Sequence, residues 1–188
     1  IAWALMTGVA LVKSGMSVFE SVFMTLLVYA GSSQLAATPL IVAGDLADEK
    51  FCATLVAAAR EKHGRLDYLV NNAFSFVAKG LDATREDFLR SFNVGPFAFA
   101  RLTQLAAEAM KAQGGGVIIN VTSVAARHGG AAGASLYAGS KGFVSTMTKG
   151  LAKECGPHGV RVNVIAPGFV ITDATRNRPV EWQQSFLK

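Results

Sequence analysis

The chain has 188 residues, 51% of them hydrophobic and 16% charged, with a formal net charge of +5. That length holds one domain with a sizeable core. No basic run or aromatic-interleaved patch occurs, so nucleic acid is not an expected partner.

Charge is unevenly placed. Between Ile1 and Gly44 only Lys13 and Glu20 are charged, and they cancel, so the whole excess belongs to residues 45–188. Cys52 and Cys155 lie far apart and offer no metal-ligand spacing. A reduced, cytoplasmic compartment fits at least as well as a secreted one. No basic region with a small-residue cleavage site marks a signal peptide at the start.

Residues 1–12 and 18–30 are apolar but fall short of the roughly 20 residues of an unbroken membrane span. They read equally as broken or re-entrant membrane helices and as buried core helices. Residues 18–30, with Met24, Leu26, Leu27 and Ala30, suit a helix better than an alternating strand. "LIVAGDL" (40–46) reads as a strand. From Asp48 to His63 the apolar residues recur at helical spacing, and Gly64 stands where a helix stops. "LDYLVNNA" (66–73) is the next strand. Thr84 can cap a long helix with Phe88, Phe92, Phe99, Leu102, Ala106 and Ala109 along one side, ended by Gly114-Gly115-Gly116. "VIINVTS" (117–123) is a third strand, followed by a helix carrying Val144, Met147, Thr148, Leu151, Ala152 and Cys155. "VRVNVIA" (160–166) is a fourth. Strands alternating with helices predict a parallel sheet with helices on both faces. Ligands then sit beyond the carboxyl ends of the strands.

Three residues stand out there. Ser123 follows the third run, and Tyr137 and Lys141 sit in "YAGSK" at the start of the next helix. A separation of four puts Tyr137 and Lys141 on one helical face. A phenol titrates near ~10, and an adjacent ammonium lowers that value. A hydroxyl from Ser123 can hold a carbonyl or alkoxide beside them. Such a set can move a proton while a cofactor moves a hydride. Alone, Tyr-x-x-x-Lys is weak, because a helix-surface pair explains it as well.

It does not stand alone. "NNA" (71–73), "FNVGPF" (92–97), "NVTS" (120–123), "YAGSK" (137–141) and "NVIAPGFVIT" (163–172) occur in one order at consistent offsets. From about residue 40 to 188 the chain resembles the short-chain dehydrogenase/reductase family. The resemblance implies a Rossmann-like α/β fold and NAD(P)-dependent interconversion of an alcohol and a ketone, on a small-molecule substrate. By it, Tyr137 is the general acid/base, Lys141 lowers its pKa and binds the nicotinamide ribose, and Ser123 orients the substrate oxygen. Asn93 supports a water-linked proton relay. Asp45 and Leu46 hold adenine, and Asn72 and Ala73 line the adenosine ribose. Pro167, Gly168, Val170 and Thr172 pack around the nicotinamide. The family commonly dimerises through the helices beginning near Thr84 and Tyr137, so a complete protein is expected to self-associate. Phe74 departs from the pattern, since the family usually has glycine there.

No metal site is expected. His63, His128 and His158 lie near glycines or helix ends, where an exposed or capping histidine is the ordinary reading. His128, between the Ser and Tyr motifs, keeps a functional alternative. Gly31-Ser32-Ser33 lacks the glycines four and six residues on that a phosphate loop of this family needs, since Leu35 and Ala37 stand there. Residues 1–41 resemble instead the early membrane region of the large subunit of branched-chain amino-acid exporters, with "AGSSQLAA" (30–37) the most specific block. The expected organisation is therefore an apolar, helical, transporter-like segment (1–41), with membrane contact through residues 1–30, and a partial Rossmann domain (42–188). That domain lacks its first βαβ unit and its last helix and strand, and residues 38–44 form the seam. Two other readings stand beside the oxidoreductase: an inactive chimeric fragment and a membrane-associated exporter remnant.

Overall fold

The computed structural model describes residues 42–171, with 176 and 180. Val42–Gly168 belongs to one unit, and the described residues from Phe169 onward belong to another. The apolar segment 18–30, the Gly31-Ser32-Ser33 turn, Thr172 and the carboxyl end all lie outside the described residues, as do the expected first and last elements.

Helix α1 (Glu49–His63) starts where its sequence says it should. The Asp48 carboxylate accepts from the Lys50 amide and satisfies one of the open donors of the first turn. Gly64 ends the helix at φ 74°, a left-handed turn that glycine adopts without a Cβ penalty. Strand β1 (Tyr68–Asn71) follows. Thr84 caps α2 (Arg85–Phe92) in a reciprocal box, its side chain accepting from the Asp87 amide while Asp87 accepts from the Thr84 amide.

The long helix expected from Thr84 is interrupted. Asn93–Phe97 forms a π-helical turn with Pro96 inside it, before α3 (Ala98–Ala112) resumes. Proline has no N–H to donate to Phe92, so the regular ladder fails there, and the Ala98 amide reaches back to the Asn93 carbonyl. Strand β2 (Gly116–Val121), the short α4 (Ala125–His128), α5 (Ser135–Cys155), a 3-10 turn (Gly156–His158) and β3 (Val160–Ile165) complete the described order.

The three strands run parallel in the order β1-β2-β3, with Asn71 opposite Asn120 and Asn120 opposite Val164. Helices α3 and α5 pack on the sheet, and α1 packs on α3. One core cluster joins Ala106, Ala107 and Met110 of α3 to Ile118, Val160, Val162 and Cys155. Fully burying a side chain such as Met110 or Ile118 contributes about 1.5–3 kcal/mol. A second cluster joins Cys52 and Val56 of α1 to Ala98 and Leu102 of α3. On β3, Val160 and Val162 face this core while Arg161 and Asn163 are exposed.

The strand expected over 40–46 does not form in its described part. Residues 42–45 have no regular structure, and Asp45 closes a turn by accepting the Asp48 amide at 3.0 Å. Apolar, β-branched character makes a strand only where a neighbour pairs its backbone groups, and no described strand does so here.

A buried polar ladder crosses the layers. Asn71 donates to Asn120 Oδ1 at 2.8 Å and to Thr103 Oγ1 at 3.2 Å. Asn120 donates to Thr148 Oγ1 at 2.9 Å, and Thr148 donates to the Val144 carbonyl at 2.7 Å. All four side chains are buried. The ladder ties α3, β1, β2 and α5 together, since a buried polar group without a partner costs about 1–3 kcal/mol.

Candidate active site

The carboxyl ends of β2 and β3 are laced to each other. The Thr122 amide donates to the Ile165 carbonyl at 2.7 Å, and the Val124 amide to the Pro167 carbonyl at 3.0 Å. Ser123 lies in this lacing, its hydroxyl oxygen accepting from the Ala125 amide at 3.2 Å. The structure thus brings Ser123 beside the Pro167-Gly168 loop.

Helix α5 begins at Ser135, so Tyr137 sits in its first turn and Lys141 one turn later. The Lys141 amine reaches the end of β2 and donates to the Val121 carbonyl at 2.9 Å, two residues before Ser123. Lys141 is 3% exposed. Burial pushes its ammonium down from the ordinary 10.5 to about 8, because desolvation disfavours the charged form. At neutral pH it still carries its proton.

Phe74 connects the two. Its ring stands edge-on to Tyr137 at 5.4 Å between centroids, and the Lys141 amine lies 3.8 Å from its centre. Phe76 meets the Tyr137 ring from another side at 4.9 Å. Sequence spacing gives no sign of Phe76, which carries no motif of its own. The π-helical turn brings Gly95 under Phe74, where any Cβ would overlap the ring. Proline inside a helical run was the available signal for that break. Asn93 opens the same turn, and its carbonyl accepts from Ala98.

Of the residues assigned to the adenosine end, Leu46, Asn72 and Ala73 line one cavity of about 270 Å³, with Leu69, Phe99 and Leu102 behind them. Asp45 turns to its own loop and accepts the Ala47 amide at 2.9 Å. Val170 falls in the second unit. The histidines take their ordinary roles. His63 and His158 are exposed at helix ends, and His128 accepts the Gly130 amide at 3.2 Å in an exposed turn. Both cysteines are buried and unpaired.

A family model described as short chain dehydrogenase matches residues 7–182. The match begins well inside the segment read as exporter-like, and the comparisons give that likeness no support. The chain is 38% identical over 133 residues to the 7alpha-hydroxysteroid dehydrogenase of Escherichia coli K12, covering 71% of this chain and 52% of that protein. It is 40% identical over 111 residues to the L-xylulose reductase of Bos taurus, covering 58% of this chain and 45% of that protein. The chain therefore spans about half the length of the curated relatives it matches. Among solved structures, it resembles a 7alpha-hydroxysteroid dehydrogenase complexed with NADH and 7-oxo glycochenodeoxycholic acid, with TM-score 0.74 and 32% identity over 88% of this chain and 64% of that one. It also resembles ElxO with NADP bound, with TM-score 0.66 and 30% identity over 71% of this chain and 54% of that one.

Proposed function

Because the chain belongs to the short-chain dehydrogenase family, we propose that it interconverts an alcohol and a ketone with NAD or NADP. The observation that carries the proposal is the convergence of Tyr137 and Lys141 on one ring, with Lys141 hung from the end of the strand that delivers Ser123.

A nicotinamide cofactor, when bound, supplies or accepts the hydride. The residues present fit such a group at two places. Lys141 has three donors and one oxygen acceptor among the described residues, which leaves donors for a ribose diol. Leu46, Asn72 and Ala73 share one cavity wall at the adenosine end. Tyr137 moves the proton at the substrate oxygen, and Ser123 orients that oxygen. Asn93, Asp45, Pro167, Gly168, Val170 and Thr172 keep the supporting roles that the resemblance implies for them.

The substrate is a small alcohol or carbonyl compound. The relatives' names include a steroid dehydrogenase and a sugar reductase, so ring ketones and open-chain carbonyls both belong in the assay. Oxidation of NADH or NADPH with either class is the expected result. Absence of turnover and of binding to both cofactors overturns the proposal in favour of an inactive chimera. The division at about residue 41 stays part of this reading: one unit begins at Val42, though it ends at Gly168 rather than at residue 188, and the family match runs across the seam. Membrane contact through residues 1–30 concerns a segment outside the described residues; among the described residues no helix is long and apolar enough to cross a membrane. The buried free cysteines support a reducing, cytoplasmic compartment.

Self-association through the helices around Phe88, Phe97 and Phe143 belongs to the same proposal. These three rings are 48%, 55% and 44% exposed, and large exposed apolar surface marks an interaction site. Sedimentation is expected to show a dimer or larger species at micromolar concentration, and a monomer throughout refutes this part.

A further inference from the structure

Resting on the oxidoreductase reading, the geometry points to Phe74 as a plug over Lys141 that a dinucleotide must displace, and so as the residue that limits cofactor affinity. Three contacts build the plug. The Lys141 amine lies 3.8 Å from the centre of the Phe74 ring and is attracted to its face. The Tyr137 ring, nearly perpendicular to it, closes one side at 5.4 Å between centroids. Beneath, the missing Cβ of Gly95 leaves the hollow in which the ring rests. The result is a lysine 3% exposed whose amine has the Val121 carbonyl as its one described oxygen partner.

An ammonium has three donors. A sugar diol reaching Lys141 needs the donors that now point toward an aromatic face. Ring and diol therefore exclude each other, and the ring's contacts oppose binding. Phe74 leads directly from Asn72 and Ala73, so its displacement follows from a rotation of one side chain in the segment that lines the adenosine cavity. Gly95 makes the closed position available, where the ring meets Tyr137 and the Lys141 amine.

The test uses Phe74→Gly and Phe74→Leu beside the wild-type protein, with thermal unfolding confirming that each is folded. Acylation of the Lys141 amine, followed by mass spectrometry, reads the plug without any cofactor. It is expected to run at least about tenfold faster in Phe74→Gly, with Phe74→Leu between. Calorimetric titration with NADH and NADPH is expected to give a Kd about tenfold lower in Phe74→Gly, one factor of ten being about 1.4 kcal/mol. If Phe74→Gly does not fold, a several-fold gain in both readouts for Phe74→Leu carries the test. Unchanged acylation overturns the plug. Faster acylation with an unchanged or weaker Kd also overturns it, because the ring then does not compete with the cofactor. Faster acylation with no cofactor bound by any variant supports the plug and overturns the oxidoreductase reading instead.

Discussion

Tyr137→Phe is expected to reduce hydride transfer by about 10²–10⁴-fold, the usual worth of a positioned general acid or base, while cofactor affinity changes little. The substitution removes one oxygen and keeps the ring. Both edge contacts, to Phe74 and Phe76, therefore survive, and so does the first turn of α5, where the backbone carbonyl of Tyr137 accepts the Ser140 hydroxyl at 2.7 Å. Loss of turnover in a folded protein that still binds cofactor separates chemistry from packing. Steady-state rates, measured beside calorimetric Kd and thermal unfolding, decide it. Turnover like that of the wild type removes Tyr137 from the proton-transfer role, and an equal loss of Kd assigns it to binding.

The second large effect concerns Lys141 and pH. Its ammonium is pushed from 10.5 to about 8 by burial, so the folded state gives up this proton before the unfolded state does. Below about pH 8 both states hold it, and the cost of burying the charge is felt in full. Between about 8 and 10.5 only the unfolded chain holds it, so stability rises with pH over that window. Lys141→Met has no such group. The stability of the wild type relative to Lys141→Met is expected to increase by up to about 3 kcal/mol from pH 8 to pH 10.5. Cys52 and Cys155, whose thiols burial pushes up, act in the opposite sense as pH rises through 9. They are common to both proteins and cancel in the difference. Denaturant unfolding of the two proteins across this range measures it, and a difference that stays flat refutes the burial of charge at Lys141.

Local signals carried most of the described fold. Asp48 and Gly64 bracket α1 within a residue of the expected span because each satisfies backbone groups by itself. Thr84 with Asp87 does the same for α2. The strands end at Asn71, Val121 and Ile165, two, two and one residues before the ends of the expected runs. Two features were not legible. The run at 40–46 looks like a strand because apolar sequence is only half of a strand, the other half being a neighbour. The π-helical turn at Asn93–Phe97 was hidden by a helical pattern that continues on both sides of Pro96. In the site, the serine, tyrosine and lysine were readable from spacing and order. The aromatic enclosure was not, because Phe74, Phe76 and Gly95 meet only through the crossing of β1, the π turn and α5.

The polar ladder from Thr103 through Asn71 and Asn120 to Thr148 also penalises a slipped strand register. In the native register Asn71 faces Asn120 across the parallel pair. Sliding β1 by one residue turns Asn71 to the other face of the sheet. Sliding it by two restores the face but carries the amide about 6.6 Å along the strand, beyond hydrogen-bond reach. Either error strands the Asn120 oxygen inside an apolar layer. An all-aliphatic pair at these two positions would tolerate such mistakes. The asparagines penalise the wrong pairings of the described strands more than they strengthen the right one.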